Sequence, residues 1–218
     1  LADHIAARIK AGGPLSLADY MADCLLHPVL GYYSRRDPLG AAGDFTTAPE
    51  ISQMFGELIG LCLAQSWLDQ GAPSRIALAE LGPGRGTLMA DVLRATRGVS
   101  GFHAALSVHL VEASPTLRSL QAQAVPGAIW HDSVDDLPDL PLFLIANEFL
   151  DALPIRQFIR RGGQWAERMV TVAEGRLAFA LAPPAAVPAL RDAPEGTVAE
   201  ICPALPAIVR TIGAKVAQ

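Results

Sequence analysis

The stretch Ile76-Ala-Leu-Ala-Glu-Leu-Gly-Pro-Gly-Arg-Gly86, running straight into Thr87-Leu-Met-Ala-Asp-Val-Leu-Arg94, decides the fold. Its first six positions form a short apolar run, its middle is glycine-rich, and its last part returns to helical spacing. That is a strand, a tight turn and a helix. Glycines let the backbone turn sharply and let a ligand approach it closely, next to the N–H groups of a helix start. A dinucleotide fingerprint needs its third glycine at position 87, where Thr87 stands. The spacing here is GxGxG, with the acid Glu80 two residues before the first glycine. Working outward, Leu106 to Glu112 reads as a second strand. Ser114 and Pro115 supply an N-cap and a first-turn proline for a helix from Thr116 to Ala124. A third strand covers Ala128 to His131. A fourth, Pro141 to Asn147, is apolar throughout, as a central parallel strand must be. Strands alternating with helices over short connections give an open α/β sheet.

The flanks differ in texture. Up to about Gly71 the chain reads as helical. Ser16 with Asp19 three residues on makes a capped start, and His27-Pro28 stops that helix. After a polar loop, one long helix is expected from about Glu50 to Gly71. Ile51, Met54, Phe55, Leu58, Ile59, Cys62, Leu63 and Trp67 would form its apolar face. His27, Tyr32 and Tyr33 read first as a packed turn and second as the lining of a substrate channel. After Leu153, residues 155–161, 165–172 and 176–181 alternate, with glycines at the turns, which predicts an antiparallel hairpin or meander. Residues 182–194 read as a surface loop, and a last helix is expected from about Pro203 to Val216. The expected domains are a helical N-terminal cap at 1–71 and an α/β domain at 72–218 carrying a hairpin insertion at 154–182. An α/β sheet does not usually stop on an uncovered apolar strand, so the C-terminal part is expected to continue beyond this chain.

The 218 residues carry a net charge of −5 and are 51% apolar, which excludes general disorder and argues against a duplex nucleic-acid binder. No apolar run is long enough to span a membrane, and no secretion leader is readable at the start. Cys24, Cys62 and Cys202 lie far apart and read as buried thiols of a reducing compartment. No metal site and no oligomeric state can be read.

The turn Glu80-Leu-Gly-Pro-Gly-Arg-Gly86 resembles motif I of class I S-adenosyl-L-methionine (SAM) methyltransferases. In that family Gly82, Gly84 and Gly86 would pass under the methionine part of the cofactor. Glu80 would hydrogen-bond near the methionine amine or support the turn. The strand ends that follow fit the same plan. Glu112 can accept from both ribose hydroxyls, because an ionised acid is an acceptor only. Asp132 would meet the adenine amino group, with a helix cap or loop acid as its rival role. Asn147 and Glu148 would stand beside the reacting methyl. Polar groups at successive strand ends lie where open α/β sheets bind ligands.

A more specific resemblance rests on five stretches. They are Tyr20-Met21; His27-Pro28 through Gly31-Tyr32-Tyr33; Gly43-Asp44-Phe45-Thr46-Thr47-Ala48-Pro49-Glu50-Ile51-Ser52 through Leu58; Val111-Glu112 with Ser114-Pro115; and Asn147-Glu148-Phe149-Leu150-Asp151-Ala152-Leu153-Pro154. Together they are similar to the MidA-type methyltransferases of bacteria and mitochondria, densely over residues 14–155. The resemblance implies a class I methyltransferase sheet with SAM as cofactor and S-adenosyl-L-homocysteine as product. It also implies an arginine on a protein partner, of the respiratory complex I subunit type, as acceptor. The location would be the bacterial cytoplasm, or the mitochondrial matrix in a eukaryote. Asp44, Thr46 and Thr47 would cover the cofactor, although Thr47 could equally cap the helix behind it. A guanidinium stays protonated, so a site that methylates it needs a carboxylate to orient it and take a proton. Glu148 is the first candidate, Asp151 the second and Asp44 the third, with helix capping as their rival role. Asn147 would orient acceptor or cofactor. Three other functions remain open: a SAM-binding assembly chaperone without turnover, a methyltransferase for another acceptor, and an NAD-linked oxidoreductase, which Thr87 disfavours.

Overall fold

Helix α1 (Ala2–Gly12) buries Ile5 and Ile9, one turn apart on one face. A two-residue strand, β1 (Leu15–Ser16), follows, and then α2 (Leu17–Leu26). The Ser16 hydroxyl accepts the Asp19 backbone N–H at 3.0 Å and donates to the Asp19 carboxylate, so the expected cap is present. His27 ends α2. Its Nδ1 accepts the N–H groups of Val29 and Leu30, both at 3.1 Å, and its ring meets that of His4 edge-on at 4.6 Å. Those contacts make it a packed turn. The computed structural model describes residues 1–32 and 47–216. The expectations on Tyr33, Asp44 and Thr46 therefore lie outside the described residues.

The long helix expected from Glu50 is two pieces, α3 (Ala48–Ile51) and α4 (Gln53–Asp69). Ser52 between them takes an extended conformation and caps α4 by accepting the Met54 N–H. The expected apolar face is also corrected. Phe55, Ile59, Leu63 and Trp67 pack on the core as expected, but Gly56, Gly60 and Ala64 are buried beside them, whereas Ile51, Met54 and Leu58 are exposed. The reason is close helix packing. A Cβ on Gly56 would lie 2.6 Å from the Asp91 Cβ, and one on Gly60 would lie 2.9 Å from the Val92 Cα. Cys62, expected buried, is exposed for the same reason, while Cys24 and Cys202 are half-buried.

Strand β2 (Ile76–Leu81) is buried at every position. It leads through the glycine turn into α5 (Thr87–Ala95), which packs on α4. After a short α6 (Phe102–Ala105) come β3 (Leu106–Val111), α7 (Pro115–Ala124), β4 (Ile129–His131) and β5 (Leu142–Ile145). These four strands form a parallel sheet in the order β4-β3-β2-β5. The chain moves outward from β2 through β3 to β4 and then returns to the other side of β2. That reversal creates a switch point at the carboxyl ends of β2 and β5. One face of the sheet is packed by Trp67, Leu88, Met89, Val92 and Phe102.

The meander is β6 (Arg156–Arg161), β7 (Gln164–Ala173) and β8 (Arg176–Leu181), joined by a strand the sequence did not suggest, β9 (Val198–Ile201). β9 pairs with β6, and β1 pairs with β7. The result is a five-stranded antiparallel sheet that packs Ile5, Ile9 and Val170 against Leu15, Tyr20 and Leu177. Helix α8 (Leu205–Val216) brings Ile208 and Ile212 onto Val134, Leu137 and Leu144 of the parallel-sheet unit.

The chain thus divides into two units with boundaries other than those read from the sequence. One holds Leu1–Tyr32 with Leu153–Pro206, and the other holds Tyr33–Ala152 with Ala207–Gln218. The expected 1–71 cap is split, because α1 and α2 find their apolar partners on β7 whereas α4 finds its own on α5. The 154–182 segment is accordingly part of a separate sheet.

Candidate functional site

The parallel strands end in register. Leu81 stands opposite Val111, Val111 opposite His131, and Glu80 opposite Ile145. Two backbone bonds extend the ladder past the strands: Gly82 N–H to the Val111 carbonyl at 3.0 Å, and Glu112 N–H to the His131 carbonyl at 3.1 Å. Asp132, Glu112, the glycine turn and Asn147-Glu148 therefore follow one another along a single edge, with Asp151 three residues beyond Glu148.

Gly82, Gly84 and Gly86 have φ of 62°, 55° and 83°, a region in which side chains other than glycine are strained. The first is also closed from outside, since a Cβ there would lie 3.0 Å from the Phe149 ring. Gly86 is the N-cap of α5. The turn is braced from α3, where the Glu50 carboxylate accepts the Thr87 hydroxyl and pairs with Arg85 at 3.5 Å. Thr47 is the backbone N-cap of α3, but its side chain makes no capping bond.

Glu80 is 3% exposed, and its Oε2 has no hydrogen-bond partner among the described residues. Burial pushes its carboxyl up to about 8. An isolated buried acid is costly, and this one lies two residues before the glycine turn, where a cationic ligand group would relieve it.

Glu112 is held on both oxygens. Oε1 accepts the Ser114 N–H at 2.8 Å, and Oε2 accepts Gln121 Nε2 at 3.2 Å. Burial raises its pKa, opposed by these N–H groups and by the charge of Arg118. Arg118 spans two strand ends: Nε donates to the Glu112 carbonyl at 2.7 Å, and Nη2 to the His131 carbonyl at 3.0 Å and to Asp132 at 2.5 Å. The Asp132 side chain is 87% exposed and so paired.

At the end of β5, Asn147 is half-buried and Glu148 is exposed. Glu148 has φ of +49°, one of three such non-glycine residues among those described. No helix begins between Asn147 and Leu153, so capping does not account for Glu148 or for the exposed Asp151. Three residues escaped the sequence reading: Glu50, Arg118 and Gln121. Each acts over a distance that spacing does not reveal, as between Glu50 and Thr87, although Glu50 belongs to the quoted Ala-Pro-Glu run.

A parallel sheet with this order, a GxGxG turn at its switch point and an acid closing the neighbouring strand define a class I methyltransferase fold. The comparisons agree. Residues 58–218 match a family model described as "Putative S-adenosyl-L-methionine-dependent methyltransferase". The chain belongs to that family. It is 42% identical to the mitochondrial protein arginine methyltransferase NDUFAF7 of Danio rerio, covering 78% of this chain and 46% of that protein. It is 35% identical to the protein of the same name from Homo sapiens, covering 98% and 56%. A crystal structure of a "likely methyl transferase" from Burkholderia thailandensis, bound to S-adenosyl-homocysteine, superposes with a TM-score of 0.79 at 30% identity, covering 98% of this chain and 58% of that one. The chain spans about half the length of the curated relatives it matches. Among the described residues, no helix is long and apolar enough to cross a membrane.

Proposed function

We propose that the protein transfers a methyl group from SAM to an arginine side chain of a partner protein. The observation that carries the reading is the buried Glu80 carboxyl, its Oε2 unpartnered among the described residues, behind a left-handed glycine turn and beside a Glu112 held ready at the next strand end. These residues fit the cofactor. Glu80 suits the cationic methionine amine, the turn suits the chain that carries the sulfur, and Glu112 suits two ribose hydroxyls. Asp132 is assigned to the adenine amino group, where it would exchange part of its contact with Arg118. Thr47, with Asp44 and Thr46, is assigned to the cover over the cofactor.

When bound, SAM supplies an electrophilic methyl on a sulfonium, and the protein chiefly supplies alignment for an in-line displacement. Glu148 holds the acceptor guanidinium through charged hydrogen bonds and takes the proton that the methylated nitrogen releases. Its left-handed backbone supports that role, since strain of this kind persists where the surroundings impose it and clusters at active sites. Asn147 orients the acceptor, and Asp151 is the second acid. The names of the relatives support arginine as acceptor, and the MidA-type resemblance points to a complex I subunit. Their mitochondrial naming supports a mitochondrial location for a eukaryotic chain, where the resemblance implies the matrix; for a bacterial chain the cytoplasm rests on the resemblance alone.

The test is incubation of the purified protein with methyl-labelled SAM and complex I subunits, followed by mass spectrometry. Label on an arginine, with release of S-adenosyl-homocysteine, is the expected outcome. Tight SAM binding without any labelled product would replace the enzyme with an assembly chaperone, and label elsewhere would replace the acceptor.

A further inference from the structure

Gln121 lies in the middle of α7 and is fully buried, at 0% exposure. A buried primary amide is costly unless each of its groups is satisfied. Here all are. Nε2 donates to the Gly84 carbonyl at 2.7 Å and to Glu112 Oε2 at 3.2 Å, and Oε1 accepts the Trp130 indole N–H at 2.8 Å. The partners sit on three different pieces of the cofactor edge: the glycine turn, the end of β3 and strand β4. The Gln121 backbone also lies against the turn, since a Cβ on Gly86 would stand 3.4 Å from its Cα.

The orientation of the amide follows from the chemistry. Turned over, its oxygen would face the Gly84 carbonyl and the Glu112 carboxylate, both acceptors, and its NH2 would face an indole N–H. The Trp130 donor therefore locks the amide with its two hydrogens toward the site. Glu112 in turn has one oxygen set by the Ser114 backbone N–H and the other by Gln121. The Ala113 backbone N–H bonds the same carboxylate, and its remaining acceptor sites are the ones assigned to the ribose hydroxyls.

We infer that Gln121 is a positioning residue that couples the glycine turn to Glu112, so that the methionine and ribose parts of the cofactor are gripped as one unit. The inference rests on the site assignment of the preceding subsection and deepens it. Gln121 acts through Gly84 and Glu112, and Trp130 acts through Gln121.

Calorimetry with S-adenosyl-homocysteine as probe tests it in four proteins: parent, Gln121→Leu, Glu112→Ala and the double variant. Gln121→Leu should weaken binding about tenfold, the size expected for lost hydrogen bonds to a charged group and a carbonyl. In the Glu112→Ala background the same change should cost about threefold or less, because its charged partner is gone. The same tenfold loss in both backgrounds would make Gln121 an independent prop of the fold, and an unchanged affinity would give it no role. Either result overturns the inference while leaving the site intact. An unaffected Glu112→Ala overturns the site assignment and the inference with it. Should Gln121→Leu fail to fold, Trp130→Phe removes only the lock on Oε1. A loss of about threefold that disappears without Glu112 is then expected, and no loss overturns the coupling.

Discussion

Two ends of the same sheet edge are built in opposite ways. At the β3 end, Glu112 has both carboxylate oxygens held, and Arg118 ties its carbonyl to the neighbouring strand. At the β5 end, Glu148 is exposed on a strained backbone within a run of turns. The first is set before any ligand arrives, at the cost of burying a charge among N–H donors. The second is aimed by its backbone alone and stays open to solvent. On the proposed function, the difference follows the division of labour in an alignment enzyme. A group that binds the same cofactor in every cycle gains from being fixed. A group that meets a protein side chain must remain accessible.

The largest expected effect would break the comparison on the open side. Glu148→Gln keeps size and shape but removes the charge, so the rate of methyl transfer should fall by about 10²-fold. The affinity for SAM should stay near that of the parent. A matching loss of SAM affinity in calorimetry would move Glu148 into the cofactor pocket, and an unimpaired rate would pass its role to Asp151.

On the fixed side, Glu112→Ala should weaken SAM binding by about 1–3 kcal/mol, the range for charged hydrogen bonds. Calorimetry that finds no change would remove Glu112 from the site.

Glu80 sharpens the comparison through pH. Its folded carboxyl titrates at about 8, above the reference of 4.5, so folding favours the protonated form. Its favourable contribution to stability is complete below the reference value and is lost as pH rises through about 8. Ligand-free protein should therefore melt at falling temperatures from pH 5 to 8.5, and Glu80→Gln should flatten that slope. SAM binding near pH 7 should release a proton from the parent but not from the variant. Titrations in buffers of different ionisation enthalpy read that release directly.

The smallest expected effect is on stability. Glu148→Gly relieves a left-handed side-chain residue and should raise stability by about 0.5–1 kcal/mol while removing activity. Chemical denaturation showing a destabilised variant would mean that the turn is held by the Glu148 side chain and not imposed on it.

Much of this was legible in residue order. The strand, turn and helix around Gly82–Gly86 and the capped start of α7 at Ser114-Pro115 rest on local rules, and the structure has them within a residue or two. β1 and β9 were not legible. They are two and four residues long, carry little periodicity and exist because β7 and β6 offer open edges. Half of the α4 face was legible, in Phe55, Ile59, Leu63 and Trp67, but the glycines at 56 and 60 look like weak helix positions until α5 is packed against them.

What the sequence determined by itself is therefore the local grammar: a buried parallel strand feeding a glycine turn, acids at the strand ends, and a GxGxG spacing without the third dinucleotide glycine. These depend on neighbours within one or two helical turns. The tertiary structure alone decided which distant groups complete the site. Glu50 reaches Thr87 across the chain, and Gln121 closes on Gly84 and Glu112 at once. It also decided that Glu80 Oε2 has no hydrogen-bond partner among the described residues. The physical reason is that hydrogen-bond satisfaction and burial are properties of a place in space. No spacing along the chain encodes them until the strands are laid side by side.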